Sequence, residues 1–336
     1  MRASQISFPI DFVIPWVDGA DPKWQARRAQ YLPASKNSST AESKQRYHDW
    51  GTLKFLLRSI ARFAPWVNQI WLLTDQQVPT WLDLKTVHLV DHREFIPALA
   101  LPTFNSNVIE MNVAHIPGLS EHFILLNDDL LFTQAVNPQD FFTAQGAPKD
   151  TLSQFVLMPR DDFSHIPVNN ISLINQQFSK RTWLRHNWPR ALSLKNGFLP
   201  TMMSLFLSVL PYFTRFYDPH VGVSYTKANF EQVLKLYPQA YQQLLQNKFR
   251  DRTDISHWLV RYYQIVSGQV SPRSYHFGQY LTMTEPDRLA QILEHPRKTR
   301  MLALNDKTAS QADITQAQES LKILAQTFPQ KAIYEQ

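Results

Sequence analysis

Apolar runs, each ended by turn formers or acidic residues, recur along the first half of the chain. This pattern is typical of buried strands. The runs predict strands at 10–17, 69–75, 86–91 and about 122–127. Acidic residues stand where these strands end, namely Asp18, Asp75, Asp91 and Asp128. A row of strand ends that each carry a carboxylate indicates a polar site along one edge of a sheet.

Between the strands, apolar residues recur at helical spacing. Asp49 is predicted to be the N-cap of a helix that runs to about Phe63. A second helix is predicted to begin at about Asn105, with capping as the default role of that residue, and to end at Pro117. Residues 32–45 are polar and are predicted to form a surface loop. Strands that alternate with helices predict an α/β fold with a mostly parallel sheet, flanking helices and a site at the carboxyl ends of the strands.

After about residue 160 the pattern becomes mainly helical. The later helices are predicted at 227–246, at 254–267 with Asp254 as cap, and at 310–328. We therefore expect three parts: an α/β core at 1–160, a helical part that completes the same site at 161–310, and a C-terminal helix at 311–336.

The segment 180–214 allows two interpretations. Residues 180–195 place five basic residues among two tryptophans, and 196–214 is uncharged but interrupted by Pro200 and Pro211. One interpretation is a buried helix between the two prolines. The other is a basic, aromatic patch followed by an apolar helix that rests on a membrane surface, since the uncharged run is too short to span a bilayer.

Composition narrows the function classes. The 34 basic and 28 acidic residues give a net charge of +6, which favours anionic partners. The chain has no Cys, which excludes disulfides and thiol chemistry and fits a reducing cytoplasm, and its first 16 residues do not have the pattern of a signal peptide. The 8 glycines are too dispersed for a phosphate-binding glycine loop, so a phosphate ligand would need a metal, basic side chains or helix N-termini.

The adjacent Asp128 and Asp129 follow an apolar strand and are the main candidates for chemistry. Magnesium usually takes one or two protein carboxylates and completes its shell with water and substrate phosphate oxygens. Asn305 and Asp306 repeat the Asn-Asp pair after a short apolar run and could supply the other side of a metal site, although chance explains such a pair equally well.

Other candidates have ordinary structural explanations as well. Asp18 and Asp21 lie in a turn whose residues are turn formers. The basic cluster at 247–254 includes Arg250, whose guanidinium suits phosphate oxygens, but such clusters are usually solvated. His220 lies in a loop next to Pro219, and a lone histidine is more often structural than catalytic.

Taken together, these motifs resemble the Stealth proteins, a family of sugar-1-phosphate transferases in bacterial capsule and exopolysaccharide synthesis that includes the lysosomal-enzyme N-acetylglucosamine-1-phosphotransferase among its relatives. The first conserved region is similar to "IDFVIPWVDGADPKW", and the long second region is similar to the chain from "RYHDWGTLKF" to "HFILLNDDLLF". Later regions resemble "FYDPHVGVSYTKANF", "NKFRDRTDISHWLVRYYQIVSG" and "MLALNDKT". Trp50-Gly51 stands where many members carry an acidic pair.

The resemblance implies a set of site residues. It implies catalytic roles for His220, Asp128, Asp129 and Arg250. It implies substrate binding by Asp18, Asp21, Arg46, Asp49, Asn105, Lys227 and Asp254. It implies a magnesium or manganese site at Asp128, Asp129, Asn305 and Asp306.

The resemblance also implies the fold and the reaction. We expect a glycosyltransferase-A-like core that binds a nucleotide-sugar, and a cytoplasmic enzyme, peripheral at the inner face of the cell membrane through 180–214, with no nucleic-acid partner. A hexose-1-phosphate would pass from the nucleotide-diphosphate sugar to a hydroxyl of a glycan or lipid-linked glycan. Two alternatives stay open: a metal-dependent glycosyltransferase that releases a nucleoside diphosphate, and a non-catalytic glycan-binding protein.

Overall fold

A computed structural model describes residues 6–32, 47–159, 161–218, 220–308 and 310–336. Its main sheet has five strands in the order β3-β2-β1-β4-β7. The strands are β1 (Ile10–Pro15), β2 (Ile70–Thr74), β3 (His88–Asp91), β4 (His122–Leu125) and β7 (Val223–Thr226). The first four are mutually parallel, and β7 runs antiparallel to β4. The predicted α/β fold with a mostly parallel sheet is confirmed.

Both faces of this sheet are covered, which explains why β1 is a continuous apolar run. Phe12 and Ile14 point into one core with the helix α2 (Thr52–Phe63), while Val13 points into a second core. The second core is covered mainly by helices from the later half of the chain. The carboxyl ends of the strands therefore lie between the two packed layers, so that a site there can be enclosed on several sides.

A smaller sheet of three strands lies beside the first. It consists of β5 (Leu130–Phe132), β10 (Met301–Asn305) and β9 (Gly278–Thr282). A two-stranded pair joins β6 (Lys149–Asp150) to β8 (Ser271–Pro272). Because β10 pairs with β5, the Asn305-Asp306 segment is brought back to the strand that follows Asp129.

The remaining helices include predicted ones with changed boundaries and others that the sequence pattern did not indicate. They are α1 (Pro22–Ala29), α3 (Ser106–Met111), α4 (His165–Gln177), α5 (Lys180–Ala191), α6 (Phe198–Leu207), α7 (Lys227–Leu236), α8 (Pro238–Gln246), α9 (Trp258–Val266), α10 (Pro286–Glu294) and α11 (Gln311–Thr327). None of the helices in the described ranges combines the length and the apolar character needed to cross a bilayer. The predicted loop at 32–45 falls almost wholly outside the described residues.

Four helix predictions need correction. The helix predicted from about Asn105 to Pro117 ends at Met111. The helix after Asp49 begins at Thr52 with Gly51 as its N-cap, because Gly51 adopts the left-handed backbone conformation at φ 75°. The helix predicted at 227–246 is two helices, since Pro238 lacks the N–H that a continuous helix requires. Asp254 does not cap the next helix, which begins at Trp258 after His257.

Candidate active site

A cavity of about 750 Å³ opens at the carboxyl ends of the parallel strands. It is lined by residues that follow β1 and β4, by the start of α3, by the loop before β7 and by the end of β10. Pockets that take small molecules have this size and commonly lie at this edge of an open α/β sheet. The predicted site residues that line it are Asp128, Asp129, His220, Arg250, Asn305 and Asp306.

Asp128 and Asp129 lie in the turn between β4 and β5, on the cavity wall. Burial, the charge of Asp129 and the charge of Asp49 raise the pKa of Asp128 well above its usual value. Burial raises the pKa of Asp129 to about 6, although the charge of His220 opposes the shift. Oδ1 of Asp129 is buried and has no hydrogen-bond partner among the described residues. Two crowded carboxylates with an unused oxygen form a site that favours a cation.

His220 lies in the loop just before β7 and lines the same cavity as the two carboxylates. Its Nδ1 lies 3.2 Å from Oδ2 of Asp218, and its backbone N–H donates to Oδ1 of the same carboxylate. Burial opposes the charged imidazole, but the hydrogen bond and charge of Asp218, with the charge of Asp129, raise its pKa overall. With Nδ1 occupied by Asp218, the geometry leaves Nε2 as the nitrogen that can accept a proton from a bound hydroxyl.

Arg250 reaches the cavity from the loop before α9. Its guanidinium donates to the Ser106 hydroxyl at the start of α3 and lies 5.6 Å from the ring centre of Phe163. These contacts hold a planar fork of N–H donors at the cavity wall. Guanidinium forks suit phosphate oxygens, so Arg250 is placed to bind an anionic substrate.

Asn105 and Asp254 lie behind this wall rather than on it. Both are fully buried, and neither lines the cavity. The Asn105 amide donates to Asp254 Oδ2 at 2.8 Å, while its Oδ1 caps α3 through the N–H of Asn107. The capping prediction for Asn105 is confirmed, and direct substrate contact by either residue is not supported. Their network instead fixes the two segments that present Ser106 and Arg250.

The end of β10 closes another side of the cavity. The N–H of Leu304 donates to the Asp129 carbonyl at 3.0 Å, which joins this strand end to the carboxylate turn. The Asp306 carboxylate accepts from the Trp50 indole at 2.8 Å and from Thr308, while the Asn305 amide contacts the Tyr280 hydroxyl. The two Asn-Asp pairs therefore share one cavity, as the sequence suggested.

The remaining predicted site residues do not line the cavity. Asp18 accepts from Ala20 within its turn, and Asp21 caps α1 through the N–H of Lys23. Asp49 accepts from the Trp16 indole and the Gly51 N–H. These contacts match the turn and capping explanation for Asp18 and Asp21. Arg46 lies outside the described residues.

Lys227 is placed at the wrong edge of the sheet for its predicted role. Because β7 runs antiparallel to β4, Thr226 pairs with His122, at the beginning of β4. Lys227 therefore follows at the amino-end edge, where its Nζ contacts the Leu119 carbonyl. Contact with a phosphate in the cavity at the opposite edge is not supported.

The structure adds an acid–base group that sequence reasoning missed. Glu110, on α3, lines the cavity, and burial raises its pKa to about 7 despite the opposing charge of Arg250. Its carboxylate lies 3.6 Å from Nε2 of His257, whose pKa burial lowers to about 3. His257 is thus neutral at pH 7, and Glu110 can exchange a proton near neutral pH. The available signal was its position on the inward side of the short helix after Asn105.

A magnesium or manganese ion fits the carboxylate turn. Oxygen donors are the ligands that these ions prefer, and the unpartnered Oδ1 of Asp129 is a ready donor. In the described ranges, no group of three or more His, Asp or Glu side chains is arranged to hold a metal ion by itself.

Comparisons with known proteins match the chain over nearly its full length. Family models for conserved region 1 and conserved region 2 of Stealth proteins match residues 8–36 and 46–150. An exopolysaccharide phosphotransferase, cps2G, of Lactiplantibacillus plantarum is 40% identical over 98% of this chain and 96% of its own length. A capsular polysaccharide phosphotransferase, WcwK, of Streptococcus pneumoniae is 35% identical over 97% of this chain and 98% of its own.

Solved structures give a weaker likeness. A galactosyltransferase, LgtC, solved with donor and acceptor sugar analogues, aligns over 94% of this chain and 95% of its own at 9% identity, with a TM-score of 0.39.

Proposed function

The chain belongs to the Stealth family, and we propose that it transfers a hexose-1-phosphate from a nucleotide-diphosphate sugar to a glycan hydroxyl during synthesis of a cell-surface polysaccharide. The full-length relatives named as polysaccharide phosphotransferases support the reaction class. The observation that carries the proposal is the shared cavity, in which paired carboxylates, a guanidinium and an imidazole face one space. Phosphoryl transfer needs charge neutralisation and placement of the attacking oxygen more than it needs covalent chemistry.

In this proposal the acceptor oxygen attacks the β-phosphorus of the donor. A new bond forms between that phosphorus and the acceptor oxygen, and the bond to the bridging oxygen of the α-phosphate breaks. The product is a phosphodiester, and the leaving group is a nucleoside monophosphate. The hydroxyl proton passes to Nε2 of His220, while Asp218 stabilises the imidazolium through Nδ1.

The charges on the donor are met from two sides of the cavity. Arg250 binds phosphate oxygens, and the Ser106 hydroxyl holds its guanidinium in place. Asp128 and Asp129, with Asn305 and Asp306 near them, would hold a magnesium or manganese ion, which neutralises charge on the diphosphate. Glu110 is a second proton acceptor at neutral pH, placed on the wall that carries Arg250.

The partners in this proposal are the nucleotide-sugar and a glycan or lipid-linked glycan acceptor. An enzyme that acts on a lipid-linked acceptor works at the inner face of the cell membrane, so we place the protein in the cytoplasm with a peripheral membrane contact in the segment 180–214. Nucleic acid has no part in the reaction.

The nucleotide released during turnover tests the reaction. Purified protein is incubated with a panel of nucleotide-sugars, magnesium and membrane extract as the source of acceptor, and the nucleotides are separated by chromatography. A nucleoside monophosphate that appears in step with sugar incorporation supports the proposal. A nucleoside diphosphate would show attack at the anomeric carbon, as in a glycosyltransferase, and intact nucleotide-sugars throughout would favour a binding protein.

A further inference from the structure

Helix α6 has its apolar side towards solvent. Its exposed positions form one stripe of large hydrophobic side chains, Phe198, Leu199, Leu205 and Phe206. Phe206 is 73% exposed, and Val209 just beyond the helix is 84% exposed. A surface helix of a globular protein usually turns its apolar stripe towards the core. The orientation of α6 therefore marks it as a candidate interaction surface.

The inward side of α6 explains why the helix cannot simply be rotated. Thr201 and Ser204 are buried there and hydrogen-bonded: Thr201 donates to the carbonyls of Ser193 and Gly197, and Ser204 accepts from the Gln154 N–H. Turning the helix over would break these hydrogen bonds and remove the partner of the buried Gln154 N–H. The outward apolar stripe is thus a fixed feature of the fold.

Exposed apolar side chains are concentrated in this part of the molecule. Of the nineteen large hydrophobic residues that are exposed among the described residues, thirteen lie between Phe155 and Tyr212. A surface that gathers them is typical of an interaction site.

The same region carries a surplus of positive charge. From Phe155 to Tyr217, seven basic residues stand against two acidic ones, Asp161 and Asp162. Arg181, Arg185 and Trp188 are exposed and recur at helical spacing along one flank of α5. An apolar face beside a surplus of basic side chains is complementary to an anionic membrane surface, where Trp and short apolar helices also partition.

Only some residues of the predicted basic and aromatic patch at 180–195 are available for membrane contact. Lys180 and Trp183 are buried, and the Lys180 ammonium binds the Tyr212 carbonyl beyond the end of α6. Arg190 is committed to the Gly268 carbonyl at 2.7 Å. The apolar stripe of α6 is exposed, so the interpretation of the whole segment as buried core is not supported.

The apolar surface continues towards the cavity. Ser204 of α6 bonds to Gln154, and the next residues include the exposed Phe155, Val156 and Met158. Phe163, a little further along, is also exposed and lines the cavity beside Arg250. We infer that α6 and the loop after it lie in the headgroup region of an anionic bilayer, with the exposed side chains of Phe155, Val156, Met158 and Phe163 facing the membrane between α6 and the cavity mouth.

The role of this docking rests on the proposed function. With α6 in the membrane surface, a lipid-linked acceptor would reach the carboxylates without leaving that surface. The ten residues of α6 span about 15 Å, which is enough to lie in the interface and too short to cross it. Docking itself needs no nucleotide and no turnover, so it can be tested separately from the reaction.

Flotation with vesicles tests the inference. The full chain is mixed with vesicles of phosphatidylglycerol and phosphatidylcholine, or of phosphatidylcholine alone, at low and high salt. We expect it to float with the anionic vesicles at low salt. In the double variant Phe198→Glu/Phe206→Glu, vesicle binding should fall by at least about tenfold per side chain. The matched control Val78→Glu/Ile333→Glu changes two side chains that are also exposed, away from this face, and should float as the parent does.

A second pair of variants separates charge from apolar contact. Arg181→Gln/Arg185→Gln should weaken binding about fivefold per residue at low salt and much less at high salt, whereas Lys85→Gln/Lys298→Gln should not. Circular dichroism and nucleotide-sugar binding confirm that each variant is folded. A parent protein that stays in the bottom fraction, or a Phe198→Glu/Phe206→Glu variant that floats equally well, overturns the inference. So does a soluble dimer that this variant dissociates, since a second copy would then cover the face.

Discussion

The two ends of β7 differ in a way that the sequence conceals. His220 precedes the strand and Lys227 follows it, and both belong to one motif that resembles a conserved region of the family. Antiparallel pairing with β4 places His220 at the cavity and Lys227 at the opposite edge of the sheet. Chain proximity therefore does not make a residue part of a site, because the direction of the strand decides which edge it reaches.

The largest effect is expected at the carboxylate turn of the cavity edge. Asp129→Asn should abolish turnover, because the unpartnered oxygen of Asp129 is the donor best placed for a cation. The fold should survive, since the substitution keeps the shape and removes crowded negative charge. Turnover is measured with the nucleotide-release assay and folding by thermal unfolding. Near-normal turnover would remove this pair of carboxylates from the reaction.

The next effect concerns the histidine before β7. His220→Ala should slow transfer by roughly 10²–10⁴ with little loss of donor affinity. His220 has a φ of 53°, a backbone conformation that Asn tolerates better than Ala does. The variant His220→Asn should therefore fold better than His220→Ala, and its side chain cannot take the proton. The exposed His295→Ala serves as a control. A loss of donor affinity without a change in the transfer step would give His220 a binding role instead.

A smaller effect is expected from Glu110, on the wall of the same cavity. The pKa of Glu110 is raised to about 7, so the carboxyl group is protonated below that pH and cannot accept a proton. Activity should therefore rise as the pH increases through about 7. Glu110→Gln should lower turnover by about tenfold and remove this rise. The measurement is turnover against pH at saturating donor for both proteins. An unchanged pH profile in the variant would leave Glu110 outside the proton transfer.

The smallest effect is expected at the far end of β7. Lys227→Gln should leave donor affinity and turnover unchanged, because its ammonium contacts the Leu119 carbonyl at the edge away from the cavity. Arg250→Gln removes one positive charge, as Lys227→Gln does, but at the cavity wall. It should weaken donor binding by roughly 10–100-fold, because hydrogen bonds to charged groups are among the stronger ones. Titration of both variants with the donor compares the two edges directly. Equal losses of donor affinity in the two variants would contradict the distinction between the two edges of the sheet.

The sequence predicts the four parallel strands of the main sheet and the place of the carboxylate pair well, because apolar runs and their polar ends are local signals. It does not predict the fifth strand, β7. It does not predict strand direction, so the resemblance that implied Lys227 as a substrate-binding residue could not show that Lys227 lies at the opposite edge of the sheet. It also cannot show whether a polar residue is buried: Asp254 resembles a helix cap, yet it is held inside by Asn105, Asn107 and Asn247. Glu110 was missed because its raised pKa comes from tertiary burial.

The central claim is that the cavity at the carboxyl edge binds a nucleotide-sugar together with a divalent cation at Asp128 and Asp129. Thermal unfolding with nucleotide-sugars, in magnesium and in chelator, tests it most directly, since a ligand of the native state raises stability by mass action. We predict that one donor stabilises the parent protein in magnesium, much less in chelator, and that Asp129→Asn loses the magnesium-dependent part. Equal stabilisation in chelator, or an undiminished magnesium effect in Asp129→Asn, would contradict the account.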